Sequence, residues 1–199
     1  PNGVLANRRS LYGGYFNGGV GAGQSYAYVG IKYNATNTGT GGTNYKIIGN
    51  GTNSTMIMDK ENKPRVLFSP EAPEILFEDY GTAELVNGEV YVPIDEILKE
   101  ALYIDDKHPL KVFIQLEGDC NGVFVTEKSK NGFKVKELAN GTSNTKFSWH
   151  IVANRADDKD AQGNITSEHV GLRLPYGPVP AKETQLAIKS NEKNIVAQK

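Results

Sequence analysis

The chain has 199 residues, of which 38% are hydrophobic, and its formal net charge is -1 at pH 7. This length supports one good hydrophobic core or two small ones, and the balanced charge excludes a general attraction to nucleic acid or to anionic membranes. The single cysteine, Cys120, excludes a disulfide within the chain, and no run approaches the roughly 18 apolar residues of a spanning helix. We therefore expect neither a nucleic-acid partner nor insertion into a membrane.

The first part of the chain differs from the rest in composition. All 23 Asp and Glu residues follow residue 58, whereas residues 1–58 hold 13 glycines, 8 asparagines and 6 tyrosines. Glycine loses the most backbone entropy on folding, and the apolar residues here are sparse. We expect this segment either to be flexible or to be ordered by packing against copies of itself or against a partner, and its tyrosines favour the second outcome.

The sequence YAYVGIKY within this segment alternates as a β-strand does. The alternation predicts that Tyr26, Tyr28 and Lys32 share one face and that Ile31 and Tyr33 share the other. Asn-Gly and Gly-Gly pairs between the short strands supply the positive φ that tight hairpin turns need. Residues 1–58 are therefore predicted to be a Gly/Tyr-rich, fibre-like β segment.

The glycines of this segment do not form a phosphate-binding loop. Gly19, Gly21 and Gly23 give G-x-G-x-G, in which the third glycine is misplaced for a dinucleotide fingerprint, and no helix-forming sequence follows. The G-x-x-x-x-G-K-[ST] motif of a nucleotide-binding loop is also absent from the sequence. We expect no cofactor.

A charged, proline-punctuated stretch follows, and we interpret residues 59–73 as a connector that carries one short strand, Arg65 to Phe68. Residues 74–175 then contain about seven short strands with turn signals between them, a pattern typical of an antiparallel β-sandwich or open barrel. Asn87-Gly88 and Asn131-Gly132 each predict a hairpin turn. The inward faces are predicted to carry Val90, Val92, Ile94, Leu110, Val112, Ile114, Leu116, Phe147, Trp149, Ile151 and Ala153.

One helix interrupts these strands. The sequence IDEILKEALY has apolar residues at helical spacing from Ile94 to Leu102, and Asp95 is a suitable N-cap. Residues 176–199 are predicted to be an extended or weakly helical tail. The predicted fold is thus mainly all-β: a glycine-rich, short-strand fibre segment followed by an antiparallel β-sandwich with one short helix.

Residues with catalytic or metal-binding chemistry are few and scattered. His108, His150 and His169 are far apart in sequence, match no metal-binding spacing, and are interpreted as surface or hydrogen-bonded side chains. Cys120 lies in a predicted turn without an evident histidine partner. The loop at 156–164 offers three aspartates that can bind calcium through their oxygens, but a solvated loop is the preferred interpretation. We assign no catalytic residue and no metal site.

Two stretches resemble a known class of proteins. The run SLYGGYFNGGVGAG is similar to the Tyr/Gly-rich segments of bacterial and phage tail-fibre-like proteins. The motifs FEDYG, GDCNG, NGF-V-EL, GTSN and IVA-R resemble a domain that follows such segments near the C-terminus of those proteins. The resemblance covers about residues 11–58 and 74–155. It implies a homotrimer in which three chains wrap together, located outside the cell, on the cell surface or in a virion or injection-particle fibre.

The function favoured by these observations is a non-enzymatic structural and adhesive module of a homotrimeric tail-fibre-like or bacterial surface protein, with self-association and a cell-surface glycan or receptor as its partners. Polar loops between strands are where recognition residues tend to lie, which directs attention to residues 117–122, 128–132 and 139–145. The candidate recognition residues in these loops are Asp119, Asn121, Lys130, Asn131, Asn140, Thr142 and Asn144.

Two alternatives remain. A carbohydrate-binding or glycan-hydrolysing β-protein would use exposed aromatic rings or, for hydrolysis, two carboxylates about 5–10 Å apart in a cleft. The candidates for such a pair are Glu74, Glu78, Glu117 and Asp119. The chain can also be a secreted bacterial cargo protein that is bound by a translocon or a chaperone.

Overall fold

The structure is a computed structural model that describes residues 12–18, 25–34 and 41–181. The described part is mainly β, with several antiparallel sheets and one short α-helix, α1 (Glu96–Ala101), as predicted. The predicted tail lies outside the described residues from residue 182 onward. The strands are β1 (Tyr12–Asn17), β2 (Tyr26–Tyr33), β3 (Thr43–Gly49), β4 (Ser54–Met58), β5 (Pro64–Phe68), β6 (Leu76–Glu84), β7 (Glu89–Pro93), β8 (Leu102–Tyr103), β9 (Lys111–Leu116), β10 (Val123–Ser129), β11 (Gly132–Glu137), β12 (Lys146–Arg155), β13 (Asp158–Lys159) and β14 (Ile165–Ser167).

The N-terminal sheet has the order β1-β2-β3 and gathers tyrosine rings on one face. Tyr15 and Tyr28 are buried, and their ring centroids lie 4.8 Å apart. Aromatic rings with hydroxyls at their edges make a small core that still requires hydrogen-bond acceptors around it. The remaining members of this tyrosine cluster are Tyr12, Tyr26, Ile31, Tyr33, Tyr45, Ile48 and Ala181.

The prediction that Ile31 and Tyr33 face away from Tyr26 and Tyr28 is wrong. All four side chains belong to the tyrosine cluster. The alternation changes at Gly30, whose φ of +64° lies in the left-handed region. A residue in this conformation interrupts the two-residue alternation of a strand, so the side chains after it return to the face they would otherwise leave.

The C-terminal segment supplies the acceptors for the tyrosine cluster. Tyr26, Tyr28 and Tyr33 donate their hydroxyls to backbone carbonyls within residues 177–179, at oxygen–oxygen distances of 2.7, 2.8 and 3.2 Å. The glycine-rich sheet is thus ordered in part by the last described residues of its own chain.

Several hydrogen bonds join the edge strand β3, with Gly42 before it, to β14 and to Glu168 after it. The Thr43 hydroxyl donates to the Glu168 carbonyl at 2.5 Å, and the Glu168 N–H donates to the Gly42 carbonyl at 3.1 Å. The Asn44 N–H donates to the Ser167 hydroxyl at 2.9 Å. Because Thr43 and Ser167 are buried, this contact excludes water and connects the N-terminal sheet to the rest of the chain.

The strand predicted from Arg65 to Phe68 is observed as β5, and it pairs with β4 in an antiparallel hairpin. This pairing runs across the predicted boundary at residue 58. All ten residues of the two strands are exposed. We call residues 54–68 the hairpin arm.

Residues 76–155 form two facing sheets. In the first sheet, β12 lies between β6 on one side and β9 with the short β8 on the other. The second sheet has the order β10-β11-β7. The inward faces of both sheets contribute to one hydrophobic core, which gives the sandwich-like arrangement that the alternation predicted.

The predicted Asn87-Gly88 turn is present: Val86 and Glu89 exchange two backbone hydrogen bonds around it, at 3.0 and 3.3 Å. The strands on either side of the turn do not pair with each other, because β6 pairs with β12 in one sheet and β7 pairs with β11 in the other. Leu85, which is fully buried just before the turn, lies where the chain crosses between the sheets. Burial of this side chain between two sheets is a tertiary effect that local turn signals do not contain.

The core is centred on an aromatic contact between the sheets. Phe133 of β11 is fully buried, and its ring meets Trp149 of β12 edge-on at a centroid distance of 5.9 Å. A Cβ on Gly81 would lie 2.6 Å from the Trp149 ring, so a glycine is required at this position of β6. The other buried hydrophobic residues of this core are Leu85, Val92, Ile94, Leu102, Leu110, Val135, Phe147, Ile151 and Ala153.

The helix α1 begins as predicted. The Asp95 carboxylate accepts the backbone N–H groups of Ile97 and Leu98 at 2.8 and 3.3 Å, as an N-cap does. Leu98 packs against the core, whereas Ile97 is 85% exposed. The helix therefore contributes Leu98 to the core, while Ile97 faces water.

Truncation of the central aromatic ring should destabilise the sandwich. For Phe133→Ala we expect a loss of about 3–5 kcal/mol in the free energy of unfolding, because the substitution leaves a cavity between two sheets. Urea denaturation measures this loss. Phe113→Ala is the matched control, since Phe113 is 57% exposed and its truncation should change the stability by less than about 0.5 kcal/mol. Equal losses in the two variants would contradict this placement of the core.

Tyr28 should ionise at unusually high pH. Burial, followed by the electrostatic effect of the neighbouring Tyr15, raises the pKa of Tyr28 to about 12. Because the folded pKa lies above the unfolded value near 10, the contribution of Tyr28 to stability is complete below about pH 10 and is lost as the pH rises toward 12. The difference in absorbance at 295 nm between the folded wild type and folded Tyr28→Phe should titrate near pH 12. When both proteins are unfolded in urea, the same difference should titrate near pH 10. A difference titration near pH 10 in the folded protein would contradict the burial.

Candidate functional site

An aromatic row crosses the outward face of the first sheet. The register places Tyr80 of β6, His150 of β12 and Phe113 of β9 at the same level on three adjacent strands. Tyr80 is 79% exposed, Phe113 is 57% exposed, and the His150 side chain is 43% exposed. We call these three residues the aromatic row.

Contacts between neighbouring strands orient the rings of the row. The centroids of Phe113 and His150 lie 5.7 Å apart with an interplanar angle of 29°. The His150 Nε2 atom lies 2.8 Å from the Glu78 Oε2 atom, and this contact restricts rotation of the imidazole. The row is therefore a positioned surface, because its central ring is held both by a neighbouring ring and by a carboxylate.

Polar side chains flank the row on both sides. One step along the strands, Thr82, Ser148 and Gln115 share a level, and the Ser148 hydroxyl donates to Glu117. One step in the other direction, Glu78 and Lys111 lie on either side of Val152. The outward face thus presents exposed rings between groups that donate and accept hydrogen bonds.

The inward neighbours of the row fix its backbone. Trp149 and Ile151, on either side of His150 in sequence, point into the hydrophobic core. Strand β12 is paired along both edges at the level of His150. Because both the packing and the ladder constrain this strand, little rearrangement is needed to present the row to a ligand.

A second exposed surface is formed by loops at one end of the sandwich. Glu137 is only 6% exposed. Its carboxylate accepts hydrogen bonds from the backbone N–H groups of Asn121 and Ser143, at 2.9 and 2.8 Å. These hydrogen bonds hold the pKa of Glu137 below its usual value, and the bond from Asn121 has the larger effect. One buried carboxylate therefore joins two of the loops that the sequence analysis selected, residues 117–122 and 139–145.

The Asn87-Gly88 turn adds to this group of loops. The Asn87 N–H donates to the side-chain oxygen of Asn144, and the Gly88 N–H donates to the Ser143 carbonyl, both at 2.9 Å. A Cβ on Gly88 would lie 1.9 Å from the Gly141 carbonyl oxygen, and the φ of Gly88 is +86°. Glycine is thus required for the approach of the two turns. We call residues 86–88, 117–122 and 139–145 the loop cluster.

The structure brings together most of the predicted recognition residues. Those in the loop cluster are exposed, and three also support it: the Asn121 N–H binds Glu137, the Asn144 side chain accepts the Asn87 N–H, and the Asp119 carbonyl accepts the Thr145 hydroxyl at 2.8 Å. The predicted recognition residues within the loop cluster are Asp119, Asn121, Asn140, Thr142 and Asn144.

The other two predicted recognition residues lie at the opposite end of the sandwich. Lys130 and Asn131 form the turn between β10 and β11, where the Asn131 carbonyl accepts the Ile94 N–H at 3.0 Å. Lys130 lies 3.8 Å from Glu100 of α1. These two residues therefore do not contribute to the loop cluster.

Glu137 and the aromatic row were not singled out from the sequence. For Glu137 the sequence does carry a signal, because its alternation with Phe133 and Val135 on β11 indicates that it points inward. The row has no such signal, because Tyr80, Phe113 and His150 come together through the pairing of strands that are distant in sequence.

The three histidines have different surroundings. The His108 Nδ1 atom lies 2.9 Å from Asp105, and His150 belongs to the row. His169 was interpreted as a surface or hydrogen-bonded side chain; it is only 2% exposed, and its Nε2 atom lies 3.3 Å from an oxygen of Asp158.

The three aspartates of the polar loop at residues 156–164 are directed to separate partners. Asp157 accepts the N–H groups of His169 and Val170, Asp158 pairs with Arg155, and Asp160 accepts N–H groups within its own turn. Across residues 12–18, 25–34 and 41–181, no cluster of three or more His, Cys, Asp or Glu side chains is arranged to hold a metal ion.

The described part of the chain contains no helix that is both long enough and apolar enough to cross a membrane. Comparison of the chain with protein-family models, with curated proteins and with solved structures found no match. The candidate function therefore depends on the two exposed surfaces and on the sequence.

Neutralising the buried carboxylate should loosen the loop cluster. The pKa of Glu137 is lower in the folded protein than in the unfolded chain. The carboxylate therefore contributes to the free energy of unfolding above the unfolded pKa near 4.3, and this contribution is lost as the pH falls through the folded pKa. We expect Glu137→Gln to accelerate hydrogen exchange at the Asn121 and Ser143 amides at pH 6. The control is Glu127→Gln, an exposed carboxylate on the same pair of strands, which should leave both amides protected. Unchanged exchange in Glu137→Gln would show that the carboxylate does not order the loops.

Proposed function

We propose that the chain is a non-enzymatic structural and adhesive module of a homotrimeric tail-fibre-like or bacterial surface protein. Its work is to associate with copies of itself and to present a rigid surface that binds a cell-surface glycan. The proposal places the protein outside the cell, on the cell surface or in the fibre of a virion or injection particle. The all-β architecture supports this proposal, as does the resemblance of the Tyr/Gly-rich segment to fibre sequences.

The aromatic row is the observation that carries the adhesive part of the proposal. The apolar faces of pyranose rings stack on aromatic side chains, and a row on one sheet offers several rings along one direction. Adjacent strands lie about 4.8 Å apart, so three neighbouring strands place side chains about 10 Å apart across the row. This distance is comparable with that spanned by two linked sugars, so a short oligosaccharide fits the row.

The flanking groups favour a glycan over an apolar protein surface. Glu78, Gln115, Thr82 and Lys111 lie beside the rings at neighbouring positions of the ladder. Sugar hydroxyls both donate and accept hydrogen bonds, and this mixture of carboxylate, amide, hydroxyl and ammonium groups can satisfy them. A predominantly apolar partner would leave these groups buried without hydrogen bonds, which is costly.

The same observation favours the carbohydrate-binding alternative, which overlaps with the adhesive proposal. Hydrolysis receives less support from the four candidate carboxylates. Glu74 accepts hydrogen bonds from Asn154 and Arg173. Glu78 lies opposite Val152 of β12, and Glu117 accepts the hydroxyl of Ser148 on the same strand. Val152 and Ser148 are four residues apart, which is about 13 Å along the strand. No described feature favours the secreted-cargo alternative over the adhesive one.

Removal of the exposed rings should weaken glycan binding. The probes are four insoluble polysaccharides, namely cellulose, chitin, xylan and bacterial peptidoglycan, in a sedimentation assay with the full chain. We expect the wild type to bind at least one of them, and the double variant Tyr80→Ala/Phe113→Ala to bind at least about tenfold more weakly, since a loss of about 1.4 kcal/mol is a factor of ten.

Tyr91→Ala is the matched control, because Tyr91 is 43% exposed on β7 of the other sheet and its loss should leave binding unchanged. Failure of the wild type to bind any of the four polysaccharides would contradict the glycan part of the proposal, and so would equal binding by the double variant. Release of soluble sugar during the assay would contradict the non-enzymatic part.

A further inference from the structure

The hairpin arm exposes large apolar side chains along both of its strands. Each of its large apolar side chains is about half to two thirds exposed, and together they present on the order of 400–600 Å², as much as the largest apolar patch of a typical monomer. An isolated two-stranded hairpin is also marginally stable. The exposed fractions are Met56 70%, Ile57 48%, Met58 56%, Val66 50%, Leu67 48% and Phe68 70%.

Both faces of the arm are apolar. Met56 lies opposite Val66 in the ladder, and strand alternation places Met58 and Phe68 on the same face as this pair. Ile57 and Leu67 lie on the other face beside Thr55 and Arg65. A partner that shields the arm from water must therefore contact it from two sides.

The tip of the arm is polar and satisfies its own hydrogen bonds. Asp59 accepts the N–H groups of Glu61 and Lys63 at 2.9 and 3.0 Å and pairs with Arg65 at 2.9 Å. The bond to Lys63, followed by the Arg65 side chain, lowers the pKa of Asp59, which keeps this turn charged. A hairpin that entered a lipid bilayer tip first would place these charges in hydrocarbon. We therefore expect the tip to stay in water and a partner to cover strands β4 and β5, which we call the shaft of the arm.

We propose that the hairpin arm is the surface through which copies of this chain associate, and that three arms pack around a common axis with each shaft between two neighbours. This inference rests on the proposed function, for which it names the interface of the homotrimer. In a two-chain packing each arm has one neighbour, so one apolar face stays in water. In a closed ring of three, one face of each arm meets the opposite face of the next arm, so both faces are covered.

The exposed area of the arm favours a ring over a pair. In a two-chain packing each arm covers one of its two apolar faces, whereas in a ring each arm covers both, on the order of 400–600 Å² of apolar surface per chain. The shaft also has few groups that could bind another class of partner. Arg65 is its one charged side chain and already pairs with Asp59, so neither a nucleic acid nor an acidic surface is matched.

The test compares oligomeric mass in solution. Sedimentation equilibrium of the full chain over a hundredfold range of concentration should give a mass of three chains for the wild type. Met56→Asp/Phe68→Asp should give the mass of one chain, because it places charge in the centre of the shaft interface. Ile97→Asp is the matched control: it adds the same charge at an 85% exposed apolar position on α1 and should remain a trimer.

The outcomes separate this inference from the proposed function. A trimeric Met56→Asp/Phe68→Asp variant would overturn the arm as the interface and leave the homotrimer standing. A wild type that forms two chains, or stays a single chain at every concentration, would overturn both. Loss of sugar binding by the aromatic-row variant leaves the arm unaffected, since that variant retains residues 54–68.

Cross-linking keeps the inference testable if the charged variant does not fold. In a Cys120→Ser background, Met56→Cys/Leu67→Cys carries one thiol on each face of the arm, and a short bismaleimide should link it into covalent trimers. The single variants Met56→Cys and Leu67→Cys should stay monomeric on a denaturing gel, because opposite faces meet in the ring. Covalent dimers from either single variant, or no cross-linking of the double variant, would contradict the ring.

Discussion

The pairing of β12 along both of its edges is the interaction on which the sandwich and its exposed surface depend. Its inward side chains contribute Phe147, Trp149, Ile151 and Ala153 to the core. Its outward side chains include His150, to which β6 and β9 add Tyr80 and Phe113. A change in the register of either neighbour by one residue would turn its inward side chains to solvent and break up the aromatic row at the same time. Stability and the candidate binding surface thus depend on one ladder.

The N-terminal sheet depends on contacts of another kind. Its core consists mainly of tyrosines, whose hydroxyls need acceptors, and residues 177–179 provide backbone carbonyls at that place. The glycine-rich segment was expected to need copies of itself or a partner for order. The described residues show that part of this need is met within the chain, whereas the hairpin arm between the sheet and the sandwich keeps its apolar side chains in water.

Alternation in the sequence was sufficient to predict most of the sandwich. Val90, Val92 and Ile94, the inward residues of β9 and those of β12 all occupy the predicted face, and Asp95 caps the predicted helix. These features follow from local periodicity and from hydrogen bonds to nearby backbone groups. The sequence could therefore predict the fold class and most of the core.

The rest could not be predicted because it depends on long-range pairing or on single backbone conformations. The switch of faces at Gly30 depends on one positive φ, and the destination of the chain after Asn87-Gly88 depends on which sheet buries Leu85. The loops of the loop cluster were selected as polar segments between strands, but their connection through Glu137 requires the folded register. The aromatic row likewise exists only where three distant strands meet.

The contact between the first and the last described residues has a mechanical consequence. Because the N-terminal sheet is bonded directly to residues 166–179, tension applied between residue 12 and residue 181 would be borne by this contact. The load would then not be transmitted through the hydrogen-bonded strands of the sandwich. A binding surface on the sandwich would then stay in its resting geometry while the ends of the described chain are under load, and yielding would begin at the tyrosine hydroxyls.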